Sequence, residues 1–150
     1  MGCENFTRKY NHYDFKVGMR DLDSKSLDFG TGLSGKCSGK ISEGLMHHCL
    51  FYDDEIFELL KDGYHRRNKS DCNDFNKYKW NSELEGTSCF SPNDLDKYIK
   101  DNGNLKYDPI NNNCQHFVKF CLEKLKDYPY REPDQLNEVV EKYKEKMCCK

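Results

Sequence analysis

Apolar residues in this chain follow two spacings, and the change from one to the other divides it. In LMHHCLFYDDEIFELL (45–60), two short runs rich in Phe, Tyr, Ile and Leu flank Asp53-Asp54. Runs of that length around a polar pair predict two strands of a β-hairpin. Asp-Asp turns less readily than Asp-Gly, so the turn is expected to extend to Glu55. A continuous helix over 45–61 is the competing pattern. Later segments switch to a helical spacing. In SPNDLDKYIKDNG (91–103), Ser91 can cap, Pro92 suits a first turn, and Leu95, Tyr98 and Ile99 form a stripe that Gly103 ends. Over 114–126, Cys114, Phe117, Val118, Cys121, Leu122 and Leu125 follow the i, i+3, i+4, i+7 rule of an amphipathic helix. A last helix over 134–147 sets Leu136, Val139, Val140, Tyr143 and Met147 against a solvated face of Glu138, Lys142, Lys144 and Lys146.

Between these elements the pattern thins. YDFKVGMRDL can supply a strand, while DFGTGLSGKCSGK (28–40) reads as a loop because its glycines and serines favour turns. Residues 61–82, which hold the only tryptophan, Trp80, read as a long and mostly irregular polar insertion, and LKYDPI as a short extended piece broken by Pro109. The chain therefore divides into a loosely structured N-terminal segment with one strand (1–40), a core (41–130), and a C-terminal amphipathic helix with a tail (131–150).

Composition narrows the class. At 150 residues the chain has the length of one domain, and its aromatics can fill a small α+β core. Lys+Arg number 24 against 26 Asp+Glu, a balance that leaves no electrostatic footprint for nucleic acid. Nine cysteines are an odd number, and no apolar run of signal-peptide length opens the sequence, which favours a reduced, cytoplasmic protein. No apolar segment approaches the ~20 residues of a membrane span, so any membrane association is expected to be peripheral. No C-x-x-C pair is present and His47-His48-Cys49 is contiguous, so neither a metal nor an organic cofactor is expected. Gly2 and Cys3 are the pair that dual acylation would use, although Phe6 stands where the myristoylation pattern wants Ser or Thr.

The chemistry concentrates in NNNCQHFVKFCLEKL (111–125). Cys114 stands where the helix begins, with Asn112 or Asn113 able to cap. Unpaired N–H groups there carry partial positive charge, which favours the thiolate, the nucleophilic form of cysteine. The backbone N–H groups of Cys114 and Gln115 are the expected oxyanion donors. Cys121, two turns on, lies in the apolar stripe and behaves as a small hydrophobe. A thiol needs a base. His116 is two residues away on the same helix and points elsewhere, as a packed or capping histidine. His47 and His48 face opposite sides of the first hairpin strand, so only one of them can reach the thiol. His48 is expected as the base, with nearby Glu58 orienting its ring.

These residues resemble a known family. NNNCQHFVKF, preceded by KYDPI, is similar to the N-C-E-H-F-V box of the lecithin:retinol acyltransferase-like proteins, and HHCLFYDDEIFEL to their upstream histidine hairpin. Those proteins belong to the permuted papain-like superfamily, in which histidine precedes cysteine in the chain. PPPDE-type isopeptidases share the layout, and EGTSCFSPNDLDKYIKDNG (85–103) is similar to the segment before their cysteine. The resemblance covers residues 45–60 and 85–126. Gln115 replaces the usual acid, and Glu58 stands where the acyltransferase-like members carry a second histidine. What the resemblance implies is an α+β fold, a small antiparallel sheet packed against a helix that carries the cysteine at its N-terminus. It implies acyl transfer or hydrolysis through a Cys114 thioester, on an acyl lipid in the first reading. The alternatives are a protein-modifier substrate, or a non-catalytic interaction module of the same fold.

Overall fold

A computed structural model describes residues 11–21 and 46–147. Five strands, β1 (Tyr13–Arg20), β2 (His47–Tyr52), β3 (Glu55–Leu60), β4 (Gly63–Asn68) and β5 (Lys79–Ser88), form one antiparallel sheet in the order β4-β3-β2-β1-β5. Three α-helices follow: α1 (Pro92–Asn102), α2 (Cys114–Leu125) and α3 (Pro133–Lys146). This is an α+β arrangement in which, among the described residues, the strands precede the α-helices. The loop expected over 28–40 and the Gly2-Cys3 pair lie outside the described residues.

The predicted hairpin forms, and its turn is tighter than expected. Tyr52 pairs with Glu55, so only Asp53 and Asp54 make the loop, at φ 51° and 67°. Two successive left-handed residues match the twist of antiparallel strands, and aspartate tolerates that region better than most side chains. A second two-residue turn, Lys61-Asp62, leads into β4, with Leu60 paired to Gly63.

The irregular stretch expected over 61–82 is corrected: it contains β4, two short 3-10 turns (Lys69–Asp71 and Phe75–Lys77) and the start of β5. The β4 sequence GYHRRN hides its strand character because ion pairs, not apolar side chains, hold it. Arg66 donates to both Glu55 carboxylate oxygens, at 2.6 and 2.9 Å, while Arg67 donates to Glu58 at 2.6 Å. The strand YDFKVGMRDL was expected to supply is β1. It is an inner strand, between β2 and β5, with Phe15, Val17 and Met19 buried.

Strand alternation splits the apolar residues between two faces of the sheet. Val17, Leu50, Tyr52, Phe57 and Leu59 enter the main core, where they meet Leu95 and Ile99 of α1, Phe117, Val118 and Leu122 of α2, and Leu136, Val140 and Tyr143 of α3. Cys49 and Ile56 belong to a smaller cluster with Cys72 and Tyr78, bordered by Phe51, Phe75 and Trp80. That second cluster is roofed by the polar insertion. Ser91 Oγ accepts from the Asp94 N–H at 3.0 Å and caps α1, an interaction of about 1 kcal/mol.

Candidate active site

The approach to α2 is built from side-chain amides. Asn112 and Asp108 exchange backbone hydrogen bonds at 2.9 Å each way, and the Asn112 amide donates to the carbonyls of Asn104 and Lys106 at 2.8 and 2.9 Å. Asn113 is the N-cap. Its Oδ1 accepts from the N–H groups of Gln115 (2.9 Å) and His116 (3.4 Å). His116 Nδ1 accepts in return from the Asn113 N–H at 3.1 Å, which closes a capping box. His116 is therefore the capping histidine that its position suggested. The same cap corrects one expectation. The Gln115 N–H, assigned as an oxyanion donor, is engaged by Asn113 Oδ1; the Cys114 N–H is the first of the helix.

Cys114 opens α2 and is buried, 1% exposed. Its Sγ accepts from the backbone N–H of His48 at 3.4 Å. The N-terminus of α2 and the start of β2 are thus in contact, through the main chain of His48. His48 is itself buried, and its Nδ1 lies 2.7 Å from the Tyr143 hydroxyl, contributed by α3. Tyr143 also reaches the Gln115 carbonyl at 3.5 Å. Burial, followed by the neighbouring thiols of Cys114, Cys49 and Cys121, pushes the Tyr143 hydroxyl well above its ordinary ionisation range. It is a neutral O–H group.

Glu58 is not part of this site, and its expected role is corrected. Its Oε1 lies 2.7 Å from His47 Nε2 and accepts from the Tyr78 hydroxyl at 3.0 Å; its Oε2 accepts from Arg67 at 2.6 Å. The reason is alternation. Leu50 pairs with Phe57, and continuing that register sets Cys49 opposite Glu58, so Glu58 shares a face with His47 and not with His48. Nearness in sequence to the residue opposite His48 misled the assignment. Burial alone would raise the Glu58 carboxyl, but the His47 hydrogen bond and charge, Arg67 and the Tyr78 hydroxyl outweigh it and pull it down to about 2.

Sequence reasoning missed Tyr143. A tyrosine in an apolar helical stripe reads as core, and nothing local marks its hydroxyl as the partner of a histidine 95 residues away. The remaining cysteines separate cleanly. Cys49, Cys72 and Cys121 are buried free thiols, and burial raises all three, with Cys72 at about 11. Cys89 is disulfide-bonded. Among the described residues no cluster of His, Cys, Asp and Glu is arranged to hold a metal ion, and no helix is long and apolar enough to cross a membrane. A cleft of about 670 Å³ lies at the far end of β2, lined by Asp14, Asp53, Asp54 and Glu85 among others; neither Cys114 nor His48 borders it.

No family model matches the chain, and neither the curated proteins nor the solved structures include a significant relative of it.

Proposed function

We propose that the protein is a thiol-dependent acyl-transfer enzyme on a permuted papain-like frame, acting on an acyl ester or amide. The observation that carries this reading is the juxtaposition of the Cys114 thiol, at the start of α2, with the start of β2, where the His48 main-chain N–H meets the sulfur. Histidine strand before cysteine helix is the chain order the resemblance implies. A deprotonated Cys114 sulfur attacks the substrate carbonyl, forming a C–S bond and an oxyanion. Collapse expels an alcohol or amine that takes its proton from the His48 imidazolium, and a thioester remains. Water or an acceptor, deprotonated by His48, then attacks the thioester and frees the thiol. An acyl lipid is the favoured substrate, in keeping with the N-C-Q-H-F-V box and with Gly2-Cys3 as an acylation signal that would hold the protein at a membrane surface from the cytoplasmic side.

One observation favours a second reading. Cys114 and His48 are both sealed from solvent, which is the state expected of an interaction module that has kept the fold and lost the reaction.

A thiol-directed acyl probe separates the two. The acyl-transfer reading expects stoichiometric labelling of the wild type at Cys114 and at least a hundredfold less in Cys114→Ala, with Cys121→Ala unchanged. Labelling that survives Cys114→Ala removes the nucleophile assignment, and a wild type that resists every acyl probe is the non-catalytic module. Turnover of phospholipid vesicles supports the lipid substrate. Turnover confined to modifier-linked probes identifies an isopeptidase.

A further inference from the structure

A tyrosine hydroxyl has one proton to give, and at Tyr143 the geometry decides where it goes. The hydroxyl has two partners, the Gln115 carbonyl oxygen at 3.5 Å and His48 Nδ1 at 2.7 Å. A carbonyl oxygen only accepts, so a hydroxyl that serves both partners at once gives its proton to Gln115. Its oxygen then accepts at His48, and in that arrangement the proton of the short bond belongs to Nδ1. Neutral imidazole has one N–H, so the lone pair falls on Nε2. The two rings meet edge to face, with centroids 5.6 Å apart and planes at 68°, and both are fully buried, which holds the imidazole against rotation.

We propose that Tyr143 is the positioning residue of this site: its hydroxyl accepts from His48 Nδ1–H and so holds the imidazole in the tautomer whose Nε2 can take a proton. The catalytic meaning of that tautomer rests on the acyl-transfer reading, but the tautomer itself does not. Tyr143 fills from the last helix the place that Glu58 was expected to fill from the hairpin. The substitution changes the chemistry in one respect. A carboxylate orients the imidazole and also stabilises its charged form, whereas a neutral hydroxyl only orients it.

The test is the tautomer, read by long-range proton–nitrogen correlation on protein labelled with ¹⁵N-histidine, above the pH range in which the imidazole titrates. The wild type is expected to show His48 as Nδ1–H with an unprotonated Nε2. Tyr143→Phe keeps the ring and removes the hydroxyl; it should shift His48 toward the Nε2–H form that unconstrained imidazole prefers. With an acyl substrate, the same variant should lose roughly 10- to 100-fold in kcat with KM changed less than about twofold. An Nε2–H tautomer in the wild type, or an unchanged tautomer in Tyr143→Phe, overturns the proposal. If Tyr143→Phe does not fold, the wild-type tautomer alone decides. An Nδ1–H His48 in a protein that no acyl probe labels sustains the tautomer assignment and removes the acyl-transfer reading.

Discussion

His47 and His48 are consecutive, equally buried, and in different chemistry. His47 meets a carboxylate that is bound at the same time by an arginine and a tyrosine, on the face roofed by the polar insertion. His48 meets a neutral hydroxyl and, through its main chain, the sulfur of Cys114, on the face covered by helices. One step along a strand separates a charged, hydrogen-bonded network from a site whose partners are a hydroxyl and a thiol. A carboxylate held by three donors is fixed and has little capacity to change protonation during a reaction; it stabilises structure. His48 has its ring on a tyrosine hydroxyl and its main chain on a cysteine, with no carboxylate among those partners. The ion pair catches the eye in a search for catalytic residues, yet it marks the side of the sheet that holds the fold together.

That contrast breaks most sharply if the two histidines are exchanged as targets. His48→Ala should lower acyl-probe labelling of Cys114, per folded molecule, by about 10² or more. His47→Ala should leave labelling per folded molecule intact while destabilising the protein by roughly 3–5 kcal/mol, because Glu58 loses a buried partner. Loss of labelling in His47→Ala at full foldedness would mean that the two faces communicate.

A smaller effect separates the faces by pH. The Glu58 carboxyl is held at about 2, below its ordinary 4.5, so the folded state binds its proton less tightly than the unfolded chain does. Its contribution is therefore complete above about pH 5 and is lost as pH falls from 4.5 toward 2. Denaturant unfolding of wild type and Glu58→Gln across that range should show the wild type's advantage shrinking as acid is added. Parallel curves would mean that the ion pair contributes nothing net to stability.

The smallest effect probes packing behind the network. A Cβ on Gly18 would lie 2.2 Å from the Trp80 ring, which is fixed beside Tyr78 and Phe75. Gly18→Ala should cost about 1–3 kcal/mol, measured by thermal unfolding, with Cys114 labelling unchanged.

Where periodicity was strong, the sequence was enough. Helices α1, α2 and α3 start and end within a residue or so of their caps and stripes, because Ser91, Asn113 and the prolines mark their starts locally. The hairpin was legible for the same reason. Strand β4 was not, since alternation there is between two arginines bonded to different carboxylates and leaves no apolar signal. In the site, the place of Cys114 at the start of a helix, and of His48 on the face of β2 opposite to His47, follow from helix position and strand parity. The third group does not, because its identity depends on how α3 docks, a tertiary fact that no spacing within residues 45–126 contains. Glu58 shows the converse hazard: correct register with the wrong parity assigns a residue to the wrong side of a sheet.

The burial of Cys114 turns the protein into its own stopwatch. A reagent added to solution meets a thiol that is 1% exposed, beneath a last helix whose Tyr143 lies against its neighbour Gln115. Modification then proceeds at the rate of an exposed thiol multiplied by the fraction of time the cover is lifted. Compared with the same reagent on a small-molecule thiol, that rate gives the free energy of lifting directly. A substrate that accelerates it would be felt by the helix before it is touched by the sulfur.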